Sequence, residues 1–199
     1  MPYLGLTGNF GTGKSTVLTL FKQLGATTIS ADVLVADILQ RQNTIDAIVK
    51  LLGLDVITLN GRIDKEKMAS IIFDNPEKRK YVEVLIHPTV FDEAEKIYNQ
   101  AQRKMRNALV VFEVPLLFEG GYENSFDKTI VVYCKEDIAI NRLIAKGFSQ
   151  EECLRRIRIQ MPLEEKVRKA DYIIDNSFSV ENTSMQIEKL FSSDSVFNS

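Results

Sequence analysis

Residues 3–16 read Tyr3-Leu4-Gly5-Leu6-Thr7-Gly8-Asn9-Phe10-Gly11-Thr12-Gly13-Lys14-Ser15-Thr16. From Gly8 the spacing is G-x-x-x-x-G-K-[ST], a phosphate-binding P-loop. The spacing is itself a mechanism. Glycines let successive backbone N–H groups curl around an anion without a Cβ in the way. Lys14 can reach the outer phosphates of a nucleoside triphosphate, and the Ser15 hydroxyl suits Mg²⁺. Gly11, Thr12, Gly13, Lys14, Ser15 and Thr16 are the expected nucleotide-binding residues. The context agrees on both sides. Tyr3–Thr7 is a short apolar run, whereas Val17, Leu20, Phe21 and Leu24 recur at helical spacing before a stop at Gly25. A helix there points its positive end at the same anion. A glycine-rich turn with a coincidental Lys-Ser would not explain why every position of the pattern is filled.

Working outward, apolar segments at Tyr3–Thr7, Ala26–Ser30, Ala108–Val114, Lys128–Cys134 and Tyr172–Asp175 read as strands of a buried parallel sheet. Helical patterns separate them, which predicts an α/β domain with helices on both faces of the sheet. The expected architecture is a three-layer α/β/α P-loop NTPase fold with a five-stranded parallel sheet, a helical substrate-binding insertion and a lid. Its nucleotide-binding core comprises 1–32, 106–137 and 170–199, the insertion 33–105 and the lid 138–169. Ligands of such sheets sit at the carboxyl ends of the strands.

The insertion contains no convincing strand. Val33, Ala36 and Ile38 start one helix, and Met68, Ile71 and Ile72 mark another with Asp64 as N-cap. Asn75-Pro76 is a cap followed by proline at the first helical position, ahead of Val82, Leu85 and Ile86. Val90, Ala94, Ile97, Ala101 and Met105 trace a further amphipathic helix beginning near Pro88. The lid segment holds Arg142, Lys146, Arg155, Arg156, Arg158, Lys166, Arg168 and Lys169, with Leu154, Ile157 and Met161 as one apolar face and the arginines off it. Such a run is either a solvated helix surface or a lid that closes on the triphosphate and delivers cations to it. Its place after a P-loop and a fourth strand favours the lid.

Bulk properties narrow the class. The 199-residue chain is 45% hydrophobic and 26% charged, with net charge −2. It is long enough for a proper core and carries no basic footprint for nucleic acid. Cys134 and Cys153 are far apart and form no metal-like pair, as expected of packing residues in a reducing compartment. No apolar run approaches membrane-spanning length. Met1-Pro2-Tyr3-Leu4 runs straight into the first strand, which leaves no room for a signal peptide and points to a cytoplasmic protein. The polar tail after Phe191 is expected to fray.

Among P-loop proteins, a GTPase should carry Asn-Lys-x-Asp after a strand, and the sequence lacks it. A motor-type ATPase usually has an acidic residue closing an apolar strand; Phe112-Glu113 resembles this loosely, and Pro115 stops the strand. A small-molecule kinase fits best. Phosphoryl transfer needs an acceptor hydroxyl held in line and positive charge around the γ-phosphoryl group. It also needs a group that orients or deprotonates the hydroxyl. Asp32, just past the second strand, is the candidate base; its other reading is a cap on a helix starting at Val33. His87, the sole histidine, reads equally as a ligand or as a helix-start or core residue.

With those residues placed, the chain resembles the dephospho-CoA kinase family almost end to end. The resemblance is carried by Gly5–Val17, Gly61-Arg62-Ile63-Asp64-Lys65, Ile86-His87-Pro88 and Pro115-Leu116-Leu117-Phe118-Glu119. Arg156-Ile157-Arg158-Ile159-Gln160 and Ala170-Asp171-Tyr172-Ile173-Ile174-Asp175-Asn176 complete it. It implies ATP- and Mg²⁺-dependent phosphorylation of the ribose 3′-hydroxyl of dephospho-CoA, the last step of coenzyme A synthesis. It further implies Asp32 as base, with Thr7, His87, Pro115 and Leu116 near the acceptor. Arg142 falls on a lid arginine and Asn176 near the adenine; Arg156 is a second cation for the transition state. The partners expected are dephospho-CoA and ATP, with neither nucleic acid nor membrane, on a monomer or weak homo-oligomer. Three positions depart from the family: Ser30 stands where it commonly has Asp, Ala139 where it has Gln, and Lys146 where it has a second arginine. Lys146 keeps the charge without the planar bidentate grip. Another nucleoside or nucleoside-monophosphate kinase, or a non-catalytic nucleotide-binding module, is the alternative on the residues alone.

Overall fold

The computed structural model describes residues 2–73, 75–105 and 108–193. It divides into two compact units, Met1–Ser30 with Tyr98–Ser199, and Ala31–Ile97. The first contains the sheet. Its strands are β1 (Tyr3–Thr7), β2 (Thr27–Ser30), β3 (Val110–Glu113), β4 (Lys128–Tyr133) and β5 (Tyr172–Asp175). They pair in parallel in the order β2-β3-β1-β4-β5. All five expected strands are present, their bounds shifted by no more than the ends of the apolar runs. With β1 central, the chain turns to β2 and β3 on one side and to β4 and β5 on the other. The crevice at the carboxyl end of β1 is therefore the topological switch point.

Period-two alternation explains the two faces. Leu4 and Leu6 join Val111, Ile130, Val132 and Ile174 in a core cluster. Val17, Leu20 and Phe21 of α1 (Lys14–Gln23) enter the same cluster. The intervening Gly5 has no room for a Cβ, because Leu117 Cδ1 and Phe126 Cδ2 lie 2.6 and 2.8 Å from where it would stand. Behind it Tyr3 packs on Phe126 with ring centroids 4.9 Å apart. Three helices form the expected lid segment: α6 (Glu136–Ile144), α7 (Gln150–Arg158) and α8 (Leu163–Lys169). Ser149 caps α7, its Oγ accepting from Glu152 N at 3.2 Å. The last helix, α9 (Val180–Ser193), takes in Ser192 and Ser193 from the stretch expected to fray. The rest of that tail, 194–199, lies outside the described residues.

The second unit is helical: α2 (Ala31–Ile38), α3 (Gln42–Leu52), α4 (Lys65–Phe73) and much of α5 (Pro76–Lys104). The expected caps are there. Asp64 Oδ1 accepts from Glu66 N and Lys67 N at 3.2 and 3.1 Å, and Asn75 Oδ1 accepts from Lys78 N at 2.9 Å. The expected break at Pro88 is not there: α5 runs through it. A proline removes one ladder bond and strains the preceding turn. Val82, Ile86, Val90 and Ala94 are nonetheless all buried, so one apolar stripe at four-residue spacing crosses the proline in phase. That continuous burial outweighs the local defect.

Candidate active site

The P-loop bridges β1 and α1. Gly11 and Gly13 have φ of 86° and 89°, a left-handed backbone that disfavours any side chain. Space forbids one as well. A Cβ on Gly11 would stand 2.9 Å from the carbonyl oxygen of Ala139, and one on Gly13 would collide with the Asn176 amide. The loop is tied together at the Asn9 carbonyl. That oxygen accepts from Thr12 Oγ1 at 3.0 Å, Thr12 N at 3.3 Å and Lys14 Nζ at 3.2 Å. Ser15 is exposed at the start of α1, and Thr16 N bonds back to Gly13 O at 3.0 Å.

Each sequence-predicted residue of this unit has a definite place. Thr7 is buried and donates its hydroxyl to the Pro115 carbonyl at 3.1 Å. Leu116 is exposed, whereas Leu117 and Phe118 are buried. Arg142 reaches the loop, Nη1 lying 3.7 Å from the position of a Gly13 Cβ and donating to Cys134 Sγ at 3.5 Å. Burial pushes the Cys134 thiol up, and Arg142 offsets part of that rise. Asn176 is buried beneath the loop. Its Nδ2 donates to Thr12 O at 2.8 Å and its Oδ1 accepts from Thr183 Oγ1 at 2.9 Å, so both ends of the amide are spent on protein groups. Ala139 is buried against Gly11, and Lys146 is exposed just after α6.

Asp32 and His87 belong to the helical unit. Helix α2 begins at Ala31, so Asp32 is its second residue and not the cap of a helix starting at Val33. Its side chain is exposed. A carboxylate in the first turn is favourable to the helix dipole but need not be spent on capping. His87 lies in the middle of α5, half-buried, which removes the helix-start reading. Burial lowers its pKa, and the Glu83 carboxylate counters part of that shift.

The fold brings to the switch point several groups whose partners sequence reasoning did not find. Glu113 ends β3, is buried, and accepts from Ser30 Oγ at 3.2 Å. Register pairs it with both Leu6 and Ser30, so the ends of β1, β2 and β3 meet at this carboxylate. The apolar run closed by an acidic residue was the available signal. Lys166, read from the sequence as one cation of a solvated or lid-forming basic run, is instead fully buried, its ammonium spent on an ion pair with Glu119 at 2.8 Å. Gln160 accepts from Phe10 N at 2.8 Å. Arg156 stands over the Phe10 and Phe148 rings, 5.1 and 5.2 Å from their centroids, and pairs with Glu152 at 2.6 Å. A cavity of about 330 Å³ beside the loop is lined by Asn9, Phe10, Thr12, Cys134, Arg158 and Gln160, among others.

The family model described as dephospho-CoA kinase matches residues 2–182. The chain belongs to the dephospho-CoA kinase family. A dephospho-CoA kinase of Aquifex aeolicus is 39% identical over 192 residues, covering 96% of each chain. A Thermus thermophilus protein of solved structure superposes with TM-score 0.80 at 32% identity, covering 96% of each chain. The dephospho-CoA kinase of Campylobacter jejuni superposes with TM-score 0.66 at 28% identity, covering 94% of this chain and 96% of that one. Within a dephospho-CoA kinase frame, the family-like segments acquire physical reasons. In Ala170–Asn176, Asp171 pins β5 to β4 by accepting from Thr129 N at 2.8 Å and Thr129 Oγ1 at 3.0 Å, and Asn176 supports the P-loop.

Proposed function

We infer that this kinase transfers the γ-phosphoryl group of ATP to the ribose 3′-hydroxyl of dephospho-CoA, giving coenzyme A and ADP. The observation that carries the reading is the preformed P-loop within a chain that matches the dephospho-CoA kinase model from residue 2 to 182. The loop amides and Lys14 hold the β- and γ-phosphates, and the helix α1 dipole adds to their field. Arg142, already against Gly13, spreads positive charge over the transferring group. Asn176 acts on the nucleotide through the loop, since its amide is engaged by Thr12 and Thr183. Asp32 accepts the proton of the attacking hydroxyl, with Thr7, His87, Pro115 and Leu116 on the acceptor side.

The donor set suits Mg²⁺. Among the described residues no cluster of three His, Cys, Asp or Glu side chains forms a protein cage for a metal. Mg²⁺ does not require one, because it is commonly held by one or two protein oxygens, substrate phosphates and water. Ser15 offers an exposed hydroxyl at the helix start, and Glu113 a hard carboxylate at the end of β3. When bound with ATP, the ion neutralises charge on the β- and γ-phosphate oxygens. No described helix is long and apolar enough to cross a membrane.

The test is ADP release from ATP and Mg²⁺ by the purified chain, with dephospho-CoA, AMP, CMP, adenosine or no acceptor. Stimulation by dephospho-CoA alone is expected. Stimulation by a nucleoside or nucleotide instead would overturn the acceptor, and nucleotide binding without transfer to any acceptor would favour a regulatory module.

A further inference from the structure

Lys14 is held in this structure by the Asn9 carbonyl, and that carbonyl belongs to the same peptide unit as the Phe10 N–H. A trans peptide is planar, with N–H and C=O pointing in opposite directions. Whatever fixes the N–H therefore fixes the direction of the carbonyl. The group that fixes it is Gln160 Oε1, 2.8 Å from Phe10 N. Gln160 lies in the turn between α7 and α8, 150 residues away in sequence.

That turn is itself anchored. Met161, the next residue, donates its N–H to Glu119 Oε1 at 3.0 Å and accepts from Asn9 Nδ2 at 3.2 Å. Glu119 Oε1 is held in turn by the fully buried Lys166 at 2.8 Å. Lys166 also donates to the Pro115 carbonyl at 3.3 Å, the oxygen that accepts the Thr7 hydroxyl. Both sides of the connection thus start from the strand that launches the P-loop. The turn cannot shift without disturbing a buried ammonium.

We propose that Gln160 is a positioning residue of the phosphoryl-transfer site: it fixes the Asn9–Phe10 peptide plane, and through the Asn9 carbonyl the ammonium of Lys14, with the Glu119–Lys166 pair setting where Gln160 stands. Without Gln160 the N–H side of that peptide loses its anchor and only the Thr12 contacts hold its carbonyl side, so the nucleotide must complete the ordering of the loop on binding. Preorganisation lost in this way falls on nucleotide affinity. Gln160 bonds directly to the loop, whereas the acceptor-side Pro115 and Thr7 are reached only through Met161, Glu119 and Lys166.

The inference rests on the P-loop serving ATP, and the experiment separates the two. Steady-state kinetics and thermal melts compare the wild type with Gln160→Met, which keeps the length and removes the acceptor. Gln160→Asn, one methylene too short to reach Phe10 N, is the second variant should the first fold poorly. The expected result for either is an ATP KM raised about tenfold, the worth of one well-made hydrogen bond. The KM for dephospho-CoA and kcat should stay within about twofold, and Tm within a few degrees. An unchanged ATP KM overturns the proposal. So does a uniform fall of kcat and both acceptor and donor affinities in step with Tm, which marks a merely structural role. Should the wild type bind ATP yet transfer to no acceptor, the functional reading fails; ATP titration of the same variants then still tests Gln160, with equal Kd overturning it.

Discussion

The two units of the chain are held together by different means. Of the buried polar or charged residues described, Thr7, Asn9, Thr12, Glu113, Thr129, Lys166, Asn176 and Thr183 all belong to the unit that carries the sheet, and Thr44 alone to the helical unit. The helical unit relies on apolar stripes such as Val82, Ile86, Val90 and Ala94, with ion pairs such as Arg41–Glu93 and Lys96–Glu93 at its surface. Buried polar networks, once satisfied, specify a single arrangement. Apolar packing with surface charges specifies less. In the function proposed above, the sheet unit supplies the fixed phosphate cradle, and the helical unit contributes Asp32 and His87.

The largest effect should come from removing chemistry without touching either kind of packing. Asp32 is exposed, so Asp32→Asn should leave Tm unchanged and lower turnover by roughly 10²–10⁴ if it takes the proton. A near-normal kcat would remove Asp32 from the mechanism. Next is the polar network itself. Glu119→Gln keeps an acceptor for Met161 N but leaves the buried Lys166 ammonium uncompensated, with an expected loss of about 3 kcal/mol of stability by urea denaturation. Lys166→Met added to it should restore much of that loss, because both charges are then gone. If the double variant melts no higher than the single one, the pair is not the source of the cost.

Asn176→Ala strips the support of Thr12 O and Thr183 Oγ1, two buried partners. It should cost about 1–3 kcal/mol and raise the ATP KM. Titration calorimetry showing unaltered ATP binding would detach Asn176 from the loop.

The smallest effect belongs to the helical unit. Burial depresses the His87 pKa below its ordinary 6.5, so the folded state favours the neutral ring. The sign follows: its contribution is complete above the unfolded value and is lost as pH falls through the folded one. The Tm of the wild type should therefore drop more steeply between about pH 7.5 and about pH 5 than that of His87→Gln. Parallel profiles would show that other groups govern the acid limb.

Much of the fold was legible in the sequence, because its signals are local. The P-loop spacing, the strand-length apolar runs and the helix caps at Asp64 and Asn75 each declare themselves within a few residues. Pro88 misled, since a proline carries a local penalty whereas the stripe that overrides it depends on burial at Val82, Ile86, Val90 and Ala94. Glu119, Gln160 and Lys166 stood in plain view, two of them inside family-like segments. Their pairing was not legible, because it joins residues 47 and 150 positions apart whose charges and amides read locally as solvated surface. Glu113 was visible as an acidic strand end, but only the register with Leu6 and Ser30 gives it neighbours.

The most direct measurement is the position of the transferred phosphate. The wild-type chain is incubated with ATP, Mg²⁺ and dephospho-CoA, and the product is treated with a 3′-specific nucleotidase. The account predicts one new phosphomonoester per ADP formed, with complete return to dephospho-CoA on nucleotidase treatment. ADP formed without a new phosphomonoester, or a product the nucleotidase leaves intact, would contradict it.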